Sequence, residues 1–166
     1  MDNYIVINGK KAELTEEQLK ALGIEIKKKR NNPFNSELKD GDIYYYNTYS
    51  GITDKHYMED ARDHINMSHA NSFNDRGFAN QVYLHELLNR KLLKYAWDNE
   101  WEDKQKWNGA IKHYYIVRNE LNKNLEVTFS YHKALNTVYF PSICTAKKAI
   151  EEVIKPFMEK HKDFVW

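Results

Sequence analysis

The sequence predicts an α+β fold in which a small N-terminal ββα element precedes two related units of antiparallel strands and helix. The first reason is a repeat at an offset of 67 residues, which aligns the segment that starts at Phe73 with the segment that starts at Phe140. The second is that tyrosine-rich, strand-like sequence precedes each copy, at 43–46 and at 114–117. The third is that each copy runs into apolar residues at helical spacing. Self-similarity at a fixed offset marks a repeated supersecondary unit.

The N-terminal element, residues 1–26, begins with a strand that enters an Asn8-Gly9 turn, a strong hairpin signal. A short return strand follows at 11–14. Thr15 as N-cap and Gln18 three residues later match a capping box, which predicts that a helix begins there. We expect this helix to end at Gly23 as a C-cap. Three apolar residues, Leu19, Leu22 and Ile24, are expected to face inward.

Residues 27–39 are predicted to be a basic linker. Lys27, Lys28, Lys29 and Arg30 lead to Pro33, a composition typical of a connector and also of a local phosphate-binding patch. Both interpretations stay open at this point: the four cations either bind phosphate or form a solvated connection.

The first of the two related units spans residues 40–107. A strand is predicted from Ile43 to Tyr49, and a weaker pattern places a second strand near Ile65 to Met67. Asp75 is a preferred N-cap residue, and the apolar positions after it predict a long helix over 76–96.

The second unit spans residues 108–166. Strands are predicted at 113–118, 125–131 and 137–140, the first two forming a hairpin. Ser142, 67 residues after Asp75, is expected to cap the last helix, and Pro156 to kink or end that helix. The apolar C-terminal residues, Phe164, Val165 and Trp166, are expected to dock back on the body of the unit.

Composition limits the classes of function. With 25 basic and 24 acidic residues and a net charge of +1, the chain lacks the basic excess of a dedicated nucleic-acid binder. The single cysteine excludes an internal disulfide and a multi-cysteine zinc site. The sequence contains no apolar run long enough to span a membrane, no secretory signal, and none of the motifs of common cofactor sites. We therefore expect a cytoplasmic protein with no cofactor and no membrane partner.

The stretch from residue 54 to residue 69 is the densest group of side chains that bind metals. It holds Asp54, His56, Asp60, Asp63, His64 and His69. Imidazole and carboxylate groups suit zinc, iron or manganese, so a metal-dependent enzyme is one hypothesis. The alternative is a polar loop that collects such residues without binding a metal, since no recognised metal motif is present.

Two further places invite a chemical interpretation. His85 and Asn89 fall on the apolar face of the long helix, either as a catalytic or ligand-reading pair or as a core histidine with a hydrogen-bond partner. Cys144 follows a predicted N-cap, where a helix N-terminus stabilises a thiolate. The alternative for Cys144 is a small buried residue.

Aromatic residues make up 14% of the chain, with 12 tyrosines and 4 tryptophans. Such residues favour strands, and they are also preferred at protein interfaces. We expect a protein-contact surface formed by two aromatic groups, one in the first predicted strand and one after the long helix: Tyr44, Tyr45, Tyr46, Trp97, Trp101 and Trp107. The alternative is that both groups only complete the core.

The chain as a whole resembles an uncharacterised family of small accessory proteins of Gram-positive bacteriophages and prophages. The resemblance lies in the opening strand and turn at 4–11, the segment 14–19, the Tyr-Tyr-Ile strand, the strand end at 138–140, and the closing residues 161–166. It implies a mobile-element accessory protein inside a bacterial host cell, and such proteins often inhibit host defence systems, including CRISPR–Cas, by stoichiometric binding. It implies no catalytic residues.

The leading hypothesis is therefore a non-enzymatic protein that binds a host or phage macromolecule, most simply a protein, as an anti-defence inhibitor of the anti-CRISPR type. The second hypothesis is nucleic-acid or nucleotide binding through Lys27 to Arg30, with an affinity that falls steeply with salt. The third is the metal-dependent enzyme that uses the 54–69 segment.

Overall fold

A computed structural model describes residues 4–7, 10–13, 15–22, 32–34, 37–102 and 107–166. The chain divides into two compact units between Asn32 and Pro33, within the predicted linker. Among the described residues, no helix has the length and apolar character needed to cross a membrane. The secondary-structure elements of the described residues are antiparallel hairpins and helices, so the predicted α+β class is confirmed.

In the N-terminal unit, β1 (Tyr4–Ile7) pairs antiparallel with β2 (Lys10–Glu13), and α1 follows (Glu16–Ala21). The predicted capping box is confirmed, because the Thr15 hydroxyl accepts from the Gln18 amide and the Gln18 side chain accepts from the Thr15 amide, at 3.3 and 2.9 Å. The inward position predicted for Leu22 is wrong. Its side chain is 59% exposed, since it lies one residue beyond the helix.

Five predictions concern residues or side chains outside the described part of the chain. They are the Asn8-Gly9 turn, the inward position of Leu19, the Gly23 C-cap, the burial of Ile24 and the phosphate patch at Lys27, Lys28, Lys29 and Arg30.

The larger of the two compact units, Pro33–Trp166, has two halves that correspond to the repeat. Its first half contains a hairpin and two helices. Strand β3 (Ile43–Thr48) pairs with β4 (Gly51–His56), and α2 (Ala61–Ser68) and α3 (Arg76–Asp98) follow. The strand predicted near residues 65–67 is wrong, because these residues belong to α2. Asp60 starts that helix with a complete capping box, a signal that outweighs the local strand pattern.

The second half repeats the hairpin and the helix. Strand β5 (His113–Arg118) pairs with β6 (Leu125–Ser130), and α4 (Ile143–Ala149) continues through a π-helical turn (Ile150–Ile154) into α5 (Lys155–Lys160).

One prediction for this second half needs correction, and for Pro156 one of the two predicted outcomes is wrong. The strand predicted at 137–140 is reduced to a single bridge between Phe140 and Tyr114. Pro156 does not end the helix. The wider π turn precedes it, and the Lys155 amide donates to the Ile150 carbonyl five residues back.

The two halves share their capping chemistry at the predicted positions. The Asp75 carboxylate accepts from the Phe78 amide, and the Ser142 hydroxyl accepts from the Thr145 amide, each three residues into its helix. Both predicted N-caps are confirmed. Two residues ahead of each cap, a phenylalanine forms a backbone bridge to the preceding hairpin, Phe73 to Tyr45 and Phe140 to Tyr114. The fourth residue of each helix is a fully buried alanine, Ala79 in α3 and Ala146 in α4.

The core lies where α3 meets α4 and the π turn. The hairpin β3–β4 packs on α3, and the hairpin β5–β6 packs on α4, so each hairpin covers the helix that follows its own half. Apolar residues of α3 and of the C-terminal helices form one cluster with Tyr139 and Phe140. Phe164 is buried against this cluster, which confirms that the C-terminal residues dock. Val165, in contrast, is 62% exposed.

Candidate functional site

Two grooves lie along α3 at repeat-related places. Groove 1, of about 710 Å³, is bounded by α3, by β5 and by residues 136–138. Groove 2, of about 680 Å³, is bounded by α3, by the end of β3 and by residues 69–71. Residues 69–71 and 136–138 are separated by the same 67 residues as the helix caps, and Glu86 lines both grooves. Both volumes fall in the range of small-molecule and peptide sites.

Each groove exists because the chain diverges from a strand after one bridge. Phe140 donates its amide to the Tyr114 carbonyl at 2.8 Å, so an antiparallel partner continuing from it would bring Val138 opposite Ile116. The structure has no bridge at that pair. The space between β5 and residues 136–138 is groove 1, whose base is formed by α3 side chains and whose apolar lining includes Leu88, Leu92, Val117, Phe164 and Trp166.

In groove 2 the corresponding gap is closed by a side chain. The Asn47 amide donates to Asn71 Oδ1 at 2.8 Å, and Asn71 Nδ2 donates to the Asn47 carbonyl at 3.0 Å. The carboxamide of Asn71 thus satisfies both backbone groups that β3 presents at its open edge beyond the Tyr45–Phe73 bridge. This edge is fully paired without another strand.

In groove 1 the same position carries no such cap. Asn71 lies two residues before Phe73, and Val138 lies two residues before Phe140, so an isopropyl group replaces the carboxamide. Ile116, like Arg118 two residues further along β5, faces this edge with its N–H and C=O, and among the residues that the structure describes neither group of Ile116 has a partner there. Groove 1 therefore combines an apolar lining with an unpaired donor and an unpaired acceptor.

His85 and Asn89 both lie on groove 1. Their side chains are exposed, so the interpretation of His85 as a buried core histidine is wrong. The apolar face of α3 that packs into the core instead consists of Leu84, Leu88 and Leu92. The His85 ring lies 4.8 Å from the Phe164 ring, so it borders the docked C-terminal residues.

A buried carboxylate organises the first half of the unit. Asp63 is 0% exposed, and it accepts from the Tyr44 hydroxyl at 2.8 Å, from Lys55 Nζ at 2.6 Å and from the Met58 and Asp60 amides at 2.9 and 3.1 Å. Burial by itself raises the pKa of Asp63, but the hydrogen bonds from Lys55, from the Met58 amide and from Tyr44 outweigh it and hold that pKa well below its usual range. The carboxylate is ionised and fully used by its neighbours.

This network bears on the metal hypothesis for residues 54–69. Lys55 bridges Asp60 and Asp63 at 2.6 Å each, so these two carboxylates of the segment share one ammonium as their partner. The imidazole of His56 faces the Gly41 carbonyl at 3.2 Å. Within the described ranges, no group of three or more metal-binding side chains comes together, so the structure assembles no metal site from this segment.

His113 is a buried polar residue that no sequence pattern marks as special. Its ring is 1% exposed and stacks on Trp107 at 3.7 Å between centroids, with Trp101 edge-on at 5.9 Å. Neither ring nitrogen has a hydrogen-bond partner in the described part of the chain. Burial lowers the pKa of His113, so the ring is neutral near pH 7.

The predicted contact residues separate into two groups. Tyr44 is 0% and Trp101 4% exposed, so both are core residues and cannot form a contact surface. Tyr44 is held by Asp63, and Trp101 packs on Tyr139. The remaining members are accessible to different degrees, since Trp97 is 51% exposed whereas Tyr45, Tyr46 and Trp107 are half-buried.

Cys144, predicted either as a thiolate at a helix start or as a small buried residue, lies in the first turn of α4 and is exposed. The buried interpretation is wrong. This position points outward from the start of the helix, whereas Ala146 and Ala149 face the core.

Comparisons of the chain with protein-family models, with curated proteins and with solved structures find no match in any of the three. The site must therefore be interpreted from its own geometry.

Sequence reasoning missed the open edge of groove 1, although a signal for it exists. The repeat aligns Asn71 with Val138, and an asparagine before a bridging phenylalanine is a residue that can pair with backbone. The difference between the two copies, rather than their similarity, marks the place where one copy is incomplete.

Proposed function

We propose that this protein acts without catalysis, by binding another protein, and that groove 1 is the main contact site. The observation that carries the proposal is the unpaired N–H and C=O of Ile116 beside an apolar groove of about 710 Å³. Exposed backbone groups next to an apolar surface are satisfied when a second polypeptide supplies their partners.

The electrostatics of groove 1 favour a protein over a nucleic acid. Glu86 is the carboxylate among its lining residues, and neither lysine nor arginine is among them. A phosphate backbone needs cations for counterion release, which this groove does not supply. Trp97 does not line groove 1, but at 51% exposure on α3 it is an aromatic residue of the kind that is enriched at protein interfaces.

The resemblance to phage accessory proteins extends this proposal. It favours a partner from the host or the phage, and an anti-defence inhibitor as the biological role. Nucleic-acid binding through Lys27 to Arg30 stays a prediction of the sequence, because these residues lie outside the described part of the chain.

The proposed function is tested by affinity capture from a bacterial lysate with the full chain as bait, followed by mass spectrometry, nucleic-acid analysis and titration of the purified partner. The matched variants are Asn89→Trp, which fills groove 1 from α3, and Lys91→Trp, which places the same bulk at an exposed position of α3 outside the grooves. We expect a protein partner whose affinity falls at least about tenfold with Asn89→Trp and stays unchanged with Lys91→Trp. Recovery of nucleic acid alone, or an equal loss with both variants, contradicts the proposal.

A further inference from the structure

We propose that groove 1 binds an extended peptide segment of the partner, which adds to the outer edge of β5 and pairs with the backbone of Ile116. This inference rests on the proposed function and specifies the form of the partner at the contact. The proposed occupant is a polypeptide in extended conformation with an apolar side chain turned into the groove.

The direction of the Ile116 backbone follows from the sheet pattern. Residues of an antiparallel strand alternately face one neighbour and the other. Tyr114 faces away from β6, because its carbonyl accepts from the Phe140 amide at 2.8 Å. Ile116 lies two residues further along β5 and faces the same way. Its β6 neighbour in the register is Val127, and the intervening Tyr115 and the following Val117 are the residues that face β6.

The first half of the unit shows directly what fits such an edge. Asn47 lies two residues after Tyr45, as Ile116 lies two residues after Tyr114, and its N–H and C=O are held at 2.8 and 3.0 Å by one carboxamide. A carboxamide carries the same donor and acceptor as a peptide group. The intramolecular cap at Asn47 therefore identifies the chemistry that the uncapped edge at Ile116 lacks.

An extended polypeptide is the ligand that meets this demand most completely. A residue of a strand presents its own N–H and C=O on one edge, while its side chain projects out of the sheet toward one of its two faces. The apolar lining of groove 1, with Leu88 and Leu92 of α3 below and Val138 opposite, accepts one such side chain. Main-chain bonds then provide affinity and the side chain provides selectivity, as in other strand-addition complexes.

The charges at groove 1 weakly disfavour an acidic segment. The lining of groove 1 contains the Glu86 carboxylate and no lysine or arginine, so an acidic or phosphorylated segment is disfavoured. Glu86 is itself paired with Arg90 at 3.6 Å, which leaves little net charge at the mouth of the groove. We therefore expect the bound segment to be neutral or weakly basic.

The test uses the difference between the two halves. Val138→Asn places at groove 1 the residue that caps groove 2, and Val138→Leu is the matched control, of similar size but without a carboxamide. A phage-displayed library of random twelve-residue peptides is selected against the full chain, and the enriched peptides are synthesised and titrated. We expect Val138→Asn to weaken binding at least about tenfold and Val138→Leu to change it less than about threefold.

A second measurement leaves the protein unchanged. Each peptide is methylated at one backbone nitrogen at a time, which removes a single hydrogen-bond donor. Strand addition predicts at least about tenfold loss at alternating positions and little loss between them. Equal loss at all positions, or at none, overturns the inference even if the Val138 variants prove unstable.

The outcomes separate this inference from the proposed function. If peptides bind wild type and Val138→Asn equally, pairing at Ile116 is wrong while protein binding stands. If no peptide is enriched but a folded protein is captured through groove 1, the extended form of the partner is wrong. If neither peptide nor protein binds, both proposals fail.

Discussion

Replacing Asp63 by alanine tests how the first half of the larger unit, Pro33–Trp166, is held together. The carboxylate is completely buried, and four groups donate to it: the Tyr44 hydroxyl, the Lys55 ammonium and the amides of Met58 and Asp60. Asp63→Ala removes the acceptor for all four at once. Tyr44 keeps one partner, because Asn66 Nδ2 donates to its oxygen at 3.0 Å, but its own proton loses its acceptor.

The expected cost follows from these contacts. Removing one partner of a buried ion pair costs about 3–5 kcal/mol, mainly because the other groups stay buried and unpaired. Lys55 moderates this cost, since its side chain is 20% exposed and retains Asp60 as a partner. We therefore expect a loss of about 3 kcal/mol in the free energy of unfolding. That is a large fraction of the roughly 5–15 kcal/mol that stabilises a typical domain.

Urea unfolding followed by circular dichroism measures this loss, with Glu120→Ala as the control. Glu120 also pairs with a lysine, Lys123 at 2.6 Å, but both side chains are more than half exposed, so its removal is expected to leave the free energy of unfolding nearly unchanged. A loss below about 1 kcal/mol for Asp63→Ala refutes the assignment of this network as the support of the hairpin β3–β4.

The same carboxylate predicts a dependence of stability on pH. Its pKa in the folded protein lies below the ordinary value of 3.8, so the contribution of the Asp63 carboxylate to the free energy of unfolding is complete above pH 3.8. It is lost as the pH falls below 3.8 toward the folded pKa, because the unfolded chain then binds a proton that the folded protein does not. Asp63→Asn is expected to flatten this acid limb of the stability curve. An unchanged limb contradicts the account.

Three further predictions concern the core and the surface. His113→Phe is expected to stabilise the protein by about 1–3 kcal/mol in urea unfolding, because it removes two buried nitrogens without partners. Below pH 6.5 the unfolded chain binds a proton at residue 113 that the folded protein does not, so the wild-type protein loses stability there. His113→Phe should abolish this loss, whereas His132→Phe, at an exposed position, should leave it in place. Ala146→Leu and Ala79→Leu are each expected to lower the melting temperature by overpacking a fully buried site, at a cost of about 1–3 kcal/mol, and neutrality at either site contradicts its place in the core. The exposed thiol of Cys144 should react with a thiol reagent in the native state, and reaction only after unfolding contradicts its position.

Local signals predicted the parts of the fold that local chemistry controls. The caps at Asp75, Ser142 and Thr15 are decided within four residues, so side-chain type at fixed spacing was sufficient. The hairpin β5–β6 was found because alternating aromatic and β-branched residues flank a turn. Helix α2 was missed because its polar sequence hides its only strong signal, the capping box at Asp60.

Burial and pairing across the fold were harder to predict. The tyrosine strand looked like a contact surface, yet Tyr44 is drawn inside by Asp63, which lies 19 residues away in sequence. His85 looked buried, yet the core side of α3 is decided by which leucines meet α4, a tertiary choice. The open edge at Ile116 depends on where residues 136–138 lie relative to β5, and only the comparison of Val138 with Asn71 across the repeat marks that point in the sequence.

Amide hydrogen exchange of Ile116 and Asn47, measured residue by residue by NMR, tests the central claim most directly. The Asn47 amide is expected to be protected by the Asn71 carboxamide, and the Ile116 amide to exchange at least about tenfold faster in the free protein, although both face away from the paired strand of their hairpins. On binding of a selected peptide, Ile116 should become protected while Asn47 stays as it was. Equal protection of the two amides in the free protein, or no change at Ile116 on binding, contradicts the account.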